Sequence, residues 1–475
     1  MLENKLDRRQ FLAGVAATTG MAVMSILAGG CAPKGTPAPA ATAKPEVKPT
    51  EASPKAQKEP ILIRFANQGG AFGDLYVKYA QAYDDEHPEI KVESEDVPYG
   101  EMGAKAALQL AAGTLQDILY AHNRWHKLGC ASGWYVPIDD LLESVPDAIP
   151  DYDDFYAIGV EHAKFEGKTY GIMDFCVPGC AHMLTWNRGL FEKAGLEPPN
   201  ADMSMDELRD LAIKMAKPDE GIFGITCVLH KQNRLMSITR CYGKPEYGVD
   251  GDTSGWLHSP DGKTWRFIEA TEEWYKNFYK PCSEAHAIVG PQDEVDWWGG
   301  GGLFSTGQCA MLQGYHRDPV KQITQVGDKW DYHPEDCCWW PKGPQGRFGT
   351  CHEYMVFMVG ALCKHQEEAL RVIGALTGYD IGLEQIAISG AYSARSSCYR
   401  DSPIAQEIPI FKDTDELMRS DIVEPYSLPW NFRDSEALDA YINTSTPLWN
   451  GTATWEEQAP IVQQEVQKVY DEPRP

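Results

Sequence analysis

Positive charge is in short supply: 43 lysines and arginines face 69 aspartates and glutamates, a formal net charge of −26. Nucleic acid and anionic lipid surfaces carry the same sign and would repel such a chain, so neither is expected as a partner. Beyond residue 30 the sequence has no apolar run long enough to cross a bilayer, which takes about 20 residues. It has no Gly-x-Ser-x-Gly elbow, no His-Glu-x-x-His and no Walker-type loop, so those hydrolase and nucleotide-binding signatures are missing. No internal repeat with a period of about 20–50 residues is visible. Cys176 with Cys180, and the adjacent Cys337 and Cys338, catch the eye. Neither pair has the second well-spaced Cys or His pair that a zinc site needs. No metal and no cofactor is expected.

What is present starts at the N-terminus. Lys5, Arg8 and Arg9 precede a weakly polar run from Phe11 to Gly30, with small residues directly before Cys31. That is the layout of an export signal, to be set aside in fold reasoning. The paired arginines followed by Phe11 and Leu12 resemble a twin-arginine signal. The ending resembles a lipoprotein cleavage site, after which Cys31 carries lipid. A transmembrane anchor is the alternative, because the run is about long enough to span. Its Gly and Thr content and the small-residue-plus-Cys ending favour the lipoprotein. Residues 1–30 are therefore read as signal, and the mature chain as tethered through Cys31 outside the cytoplasmic membrane, or periplasmic. Residues 31–60 are mostly Ala, Pro, Lys, Thr and Glu. They cannot bury enough surface to offset their ordering entropy and read as a disordered linker. Of 13 cysteines, twelve remain once Cys31 is lipidated. That even number in an exported chain predicts buried free thiols plus a few disulfides.

From Ile61 onward strand-like runs alternate with helical patterns, the signature of an α/β chain of two or three domains. Apolar spacing predicts a helix over 75–87, stopped by Pro88; a second is expected over 102–112, closed by Gly113. Strands are expected at 61–65, 89–97 and 117–120. Such β-α-β-α-β order builds an open parallel sheet whose ligand crevice lies past the carboxyl ends of its strands. The loops at 67–70 and 121–125 are therefore the ones to watch.

Further along, Trp186-Asn187-Arg188, Leu190-Phe191, Lys193-Ala194-Gly195-Leu196 and Pro198 precede a helix start at Met205-Asp206-Glu207-Leu208. This stretch closely resembles extracellular solute-binding protein family 1, the maltose-binding-protein-like receptors of ABC importers. Ser204-Met205 stands where the family often has Thr-Trp. Asp117 to Trp125, Phe304 to Met311, Pro341-Lys342-Gly343-Pro344, Glu367-Glu368-Ala369-Leu370 and the loop from Gly390 to Arg395 are similar to other family segments, in the same order. The resemblance implies a two-lobe, type II periplasmic-binding-protein (Venus-flytrap) fold with the ligand between the lobes. Crossings are expected near 174–182, 310–316 and 375–382. Lobe one would then comprise 60–175 plus 314–377, and lobe two 176–313 plus 378–475.

Sugars present hydroxyl edges and apolar ring faces, so their sites need aromatic planes together with carboxylates, Asn, Arg and His. The 14 tryptophans and 22 tyrosines supply planes, although most large aromatics belong to cores. In lobe one the candidates are Asn123, Arg124 and Trp125, in a loop that the resemblance aligns with ligand contacts, and Asn67 and Gln68 after the first strand. Ordinary turn chemistry is the alternative for Asn67 and Gln68. For Arg124 it is a surface ion pair, and for Trp125 packing on a helix. Asp174, in the first crossing, would accept from ligand hydroxyls or form a hinge salt bridge. Trp297 and Trp298 precede four glycines and so sit on a loop, where an exposed Trp usually has a partner. Trp256 and Trp430 follow. Tyr315, Arg317, His352, Glu353 and Arg395 lie at positions the resemblance places near the cleft, with His352 equally readable as a core histidine.

The expected function is a monomeric binding protein, not an enzyme, that captures a carbohydrate, an oligosaccharide or glycoside, and delivers it to the permease subunits of an ABC importer. A non-sugar solute such as a polyol, phosphodiester or peptide is the first alternative, because Arg124, Arg317 and Arg395 together would hold an anion. An exported glycoside hydrolase is the second, though nothing places two carboxylates across one cleft.

Overall fold

The computed structural model describes residues 59–473 apart from 179–182, 228, 230–231, 244–254, 260, 295–301, 347–348, 350, 390–392, 420–423 and 428–430. Cys31 and the expected signal and linker lie outside the described residues, as do Trp297, Trp298 and Trp430.

Among the described residues the strands are β1 (Ile61–Asn67), β2 (Ile90–Asp96), β3 (Ile118–His122), β4 (Lys164–Phe165), β5 (Lys168–Thr169), β6 (Gly171–Pro178), β7 (Met183–Trp186), β8 (Phe223–Thr226), β9 (Cys309–Gly314), β10 (Cys337–Trp339), β11 (Cys351–Val359) and β12 (Glu424–Ser427). The first sheet runs β12-β11-β3-β1-β2, with β6 also on β11; the second runs β10-β7-β9-β8. β1 lies parallel to β2 from Ile61↔Ile90 to Asn67↔Asp96, and β11 is antiparallel to β3 and β6. All five residues of β3 are buried, as befits a central strand covered on both faces.

The local signals explain the elements. The helix Gly70–Glu86 joins β1 to β2, and the helix Met102–Ala112 ends on Gly113 at φ 72°, a left-handed cap that costs glycine nothing. Ser204 and Glu207 form a reciprocal capping box on the helix Met205–Met215, satisfying two otherwise orphaned backbone donors.

Each sheet has its own core. Around the first, Phe65, Tyr76 and Phe357 meet edge to face, with Tyr76 and Phe357 ring centroids 5.2 Å apart. Around the second, Trp265, Trp274, Phe267, Tyr441 and Trp449 interlock. Gly224 on β8 packs so close to the helix Met205–Met215 that a Cβ there would lie 1.9 Å from the Ala212 carbonyl oxygen. Gly224→Ala is therefore expected to lower stability by roughly 1–3 kcal/mol through overpacking, seen as an earlier urea midpoint with an unchanged slope.

Sheet membership differs from the expected partition. β10 pairs with β7 in the second sheet, whereas β12 pairs with β11 in the first. Ile381, Ile386, Phe411 and Met418 belong to the first core. The chain thus passes between sheets at β6 to β7, β10 to β11, and β12 to the helix Asp434–Trp449. β10 is three residues long, too short to show a period in sequence. The amphipathic helices between 379 and 419 do not encode which sheet they cover.

The ten described cysteines that can be assessed are all free thiols, nine of them buried. These ten fit the buried-free-thiol part of the expectation and form no disulfide with one another here, while Cys31 and Cys180 lie outside the described residues.

Candidate functional site

The site begins at the carboxyl end of β3. His122 caps the helix Asn123–Ala131, its Nδ1 accepting from the Arg124 backbone N–H at 3.2 Å. Its Nε2 lies 3.1 Å from Oε1 of Glu353 on the neighbouring β11. Burial pushes the His122 pKa down, and Glu353 only partly opposes this. The His122 ring packs with Tyr99 and Trp125, and Tyr99 meets Trp125 edge to face at 5.3 Å. Asn123 is the anomaly: it is 6% exposed, and both ends of its amide are buried without a hydrogen-bond partner. An amide in that state costs about 1–3 kcal/mol.

Arg124 reaches across to the second half, its Nε 3.9 Å from Asp434 Oδ2. Asp434 opens the helix Asp434–Trp449, whose N-terminal dipole favours the carboxylate. Burial works against the Arg124 charge, but Tyr99, Asp434, Tyr315 and Glu353 outweigh it and make the guanidinium more basic. At the end of β9, Tyr315 lies under the Arg234 guanidinium at 4.0 Å, with Arg317 5.3 Å from the same ring. Asp318 accepts from the Tyr315 backbone N–H at 2.6 Å and pairs with Arg234 at 3.7 Å.

Beside this contact lies a cavity of about 690 Å³ lined from both halves. Lys127, Phe165 and Phe432, which packs on Phe165, face it from one side, Asp261, Arg433 and Tyr470 from the other. Lys127 is one helical turn beyond Arg124, and Arg433 precedes Asp434, so the cavity adjoins the Arg124–Asp434 contact. Burial lowers the Lys127 pKa to about 8. The volume lies within the range of about 300–1,000 Å³ typical of small-molecule sites.

The structure brings together Asn123, Arg124, Trp125, Tyr315, Arg317 and Glu353 from the sequence candidates. Gln68 stays half-exposed in the loop after β1. Five candidates are instead committed to the fold. Asn67 donates to Ser94 Oγ and Asp96 Oδ1 and accepts from the Gly69 N–H, holding its own turn. Asp174 is buried and accepts from Tyr76 at 2.6 Å, Tyr120 at 2.5 Å and Gln385 at 2.6 Å, with no cation beside it. Among the described residues these three donors take up its carboxylate, in place of the hinge ion pair. Trp256 is 2% exposed under Arg240. His352 is buried on β11 with Nδ1 3.2 Å from His162 Nε2, the core-histidine reading. Arg395 donates to the carbonyls of Thr377, Asp151 and Pro150 and lies 4.2 Å over the Phe155 ring, a tie between segments.

Tyr99, His122, Arg234 and Asp434 were missed from sequence. Tyr99 follows β2 and was findable by the rule applied to the other strand ends. His122 lay within the loop singled out. Arg234 and Asp434 carry no such signal, because they arrive from the far half.

Two sheet-centred α/β halves with charged side chains meeting across their seam define the class, a type II binding-protein fold. A model of the bacterial extracellular solute-binding protein family matches residues 68–380, and the chain belongs to that family. It is similar to a putative binding protein of Brucella abortus, 28% identical over 326 residues, covering 66% of this chain and 71% of the relative. Among solved structures, the GacH receptor of Streptomyces glaucescens, known unliganded and with acarbose, has a TM-score of 0.66 at 19% identity, covering 87% of this chain and all of that one. An ABC substrate-binding protein of Listeria monocytogenes in complex with cycloalternan reaches 0.66 at 16% identity, covering 87% and 99%. The MalE binding domain of Bdellovibrio bacteriovorus with maltotriose reaches 0.65 at 16%, covering 86% and 99%. No described helix is long and apolar enough to cross a membrane.

Proposed function

We propose that this chain is an exported lipoprotein, anchored through Cys31, that captures a carbohydrate between its two halves and hands it to an ABC importer. The observation that carries this reading is the cavity lined from both halves beside the Arg124–Asp434 contact. The carbohydrates held by GacH and by the Listeria and Bdellovibrio proteins support it at the level of ligand class. Tyr99, Trp125, Phe165, Phe432 and Tyr470 supply faces for sugar rings. Asn123, Arg124, Glu353 and Asp434 supply donors and acceptors for hydroxyls. The halves move about the three passages between sheets, and a ligand that touches both favours the closed arrangement, which the importer reads.

Asn123 gives this reading a sharp test. Asn123→Ala removes a buried unpartnered amide, so the ligand-free protein is expected to gain about 1 kcal/mol. Carbohydrate binding is expected to weaken about tenfold or more through the lost hydrogen bonds. Thermal melting without sugar and calorimetry with it check the two halves of that statement. A variant that loses stability and keeps its affinity contradicts the assignment.

A further inference from the structure

The cavity beside the Arg124–Asp434 contact extends well past it. Asn123, whose buried amide lacks a partner, opens the helix Asn123–Ala131, and Lys127 on the same helix lines the cavity. At ~1.5 Å per residue the two stand about 6 Å apart along the helix axis. On the opposite wall the lining runs from Arg433, next to Asp434, to Asp261, Gly262, Lys263 and the end of the last helix at Tyr470. The volume of about 690 Å³ stands in the upper half of the range of about 300–1,000 Å³ for small-molecule sites, more than one sugar ring fills.

Tyr470 is the informative residue of the far wall. It is 5% exposed, it lines the cavity, and its hydroxyl is buried without a hydrogen-bond partner among the described residues. Buried polar groups are nearly always paired, because leaving one unpaired is costly. The wall that carries it is braced. The Tyr470 ring meets Trp265 edge to face at 5.9 Å. Gln467, on the same helix, accepts from the Trp265 N–H at 2.7 Å and donates to the Lys263 carbonyl at 2.9 Å. Asn431 donates to the Gly262 carbonyl at 2.9 Å. These bonds fix the wall without using the Tyr470 hydroxyl.

The near wall is equally preformed. Phe165 sits on the hairpin of β4 and β5, whose two turn residues, Glu166 and Gly167, have φ of 49° and 79°. A two-residue turn with both φ positive matches the twist of its strands and holds Phe165 in place. Phe432 packs on Phe165 edge to face at 6.4 Å. An apolar shelf and an unpaired hydroxyl thus share one cavity, which suits the apolar face and hydroxyl edge of a sugar ring.

We infer that this cavity is a distal subsite, read by the Tyr470 hydroxyl and the Phe165–Phe432 shelf, and that the carbohydrate is a chain of at least three rings. The inference rests on the receptor reading above and narrows it to oligosaccharides long enough to run from Asn123, past the seam, to Tyr470. Tyr470 then sets the preferred length. A mono- or disaccharide held at the seam leaves its hydroxyl unpaired, and a third ring pairs it.

The test is calorimetry on the full chain, with glucose through maltotetraose and mannose through mannotetraose as probes. In the ladder that binds, affinity is expected to rise at least about tenfold from two rings to three. In Tyr470→Phe, which keeps the ring, that step is expected to shrink to about threefold or less. The variant should melt no lower than the parent, since an unpaired hydroxyl is what it loses. A ladder in which the disaccharide binds as tightly as the trisaccharide overturns the length inference and leaves the receptor reading standing. A step as large in Tyr470→Phe as in the parent overturns the role given to Tyr470. A variant that melts clearly lower shows the hydroxyl serving the fold, which also overturns that role. Silence from both ladders, with the chain folded by its melting transition, counts against both readings.

Discussion

Asp318→Ala is expected to destabilise the protein by about 3–5 kcal/mol, the cost of stripping one partner from a buried ion pair. Asp318 and Arg234 are both fully buried and lie 3.7 Å apart. Asp318 also accepts from the Tyr315 N–H at 2.6 Å, so one carboxylate fixes the turn after β9 and neutralises a guanidinium. Removing it takes a full carboxylate from a buried guanidinium that also has Arg317 and Lys321 nearby. The melting temperature should fall by about 10 °C, at about 2–4 °C per kcal/mol for domains of this size. Asp318→Asn keeps an acceptor for Tyr315 but loses the charge, and should recover only part of the loss. If Asn and Ala variants melt together with the parent, the pair carries no net stability and the structural role assigned to it is wrong.

The second large effect is on acid stability. His126, His258 and His316 are buried, and burial lowers each pKa to about 3. His126 pairs with the Tyr354 hydroxyl, His258 with the Ser259 carbonyl and His316 with Thr414. Their folded pKa values lie below the unfolded value of about 6.5, so between those limits the unfolded chain binds more protons and stability falls as pH falls. From pH 7 to about 5.5 the three together remove about 4 kcal/mol. Asp174 and Glu294 have the opposite sign. Burial raises their pKa values to about 6 and about 7, so their charged forms destabilise the fold and acidification relieves that. They return about 2 kcal/mol over the same window. The expected result is a net loss of about 1.5 kcal/mol at pH 5.5, steepening to about 3 kcal/mol by pH 4.5. Asp174→Asn should make the loss larger by about 1 kcal/mol. Denaturant midpoints across that range check both, and a protein that grows more stable toward pH 5.5 contradicts the assignment.

Much of the frame was legible in sequence because its signals are local. The helix Met102–Ala112 and its Gly113 cap appear as read, and strands were expected where β1, β2 and β3 lie. The helix at Met205 was announced by Ser204 and Glu207. Asn123 and Arg124 were singled out because they follow a strand, in a loop that the family resemblance aligns with ligand contacts. What failed was long-range. Arg395 has the residue type of a ligand contact, yet its donors are taken by carbonyls at 150, 151 and 377. Asp174 is captured by two tyrosines and a glutamine from three other segments. The partner of Arg124 comes from residue 434. No spacing rule reaches across such separations, and the short β10 and the helices between 379 and 419 escaped for the same reason.

The most direct measurement of the central claim is a thermal-shift titration of the full chain against neutral and acidic sugars, repeated with Arg124→Ala. The account predicts a responder that raises the midpoint by about 5–10 °C at a hundredfold excess over its dissociation constant, and loss of most of that shift in the variant. A responder that stabilises Arg124→Ala as strongly as the parent would place the ligand away from the seam between the halves and contradict the account.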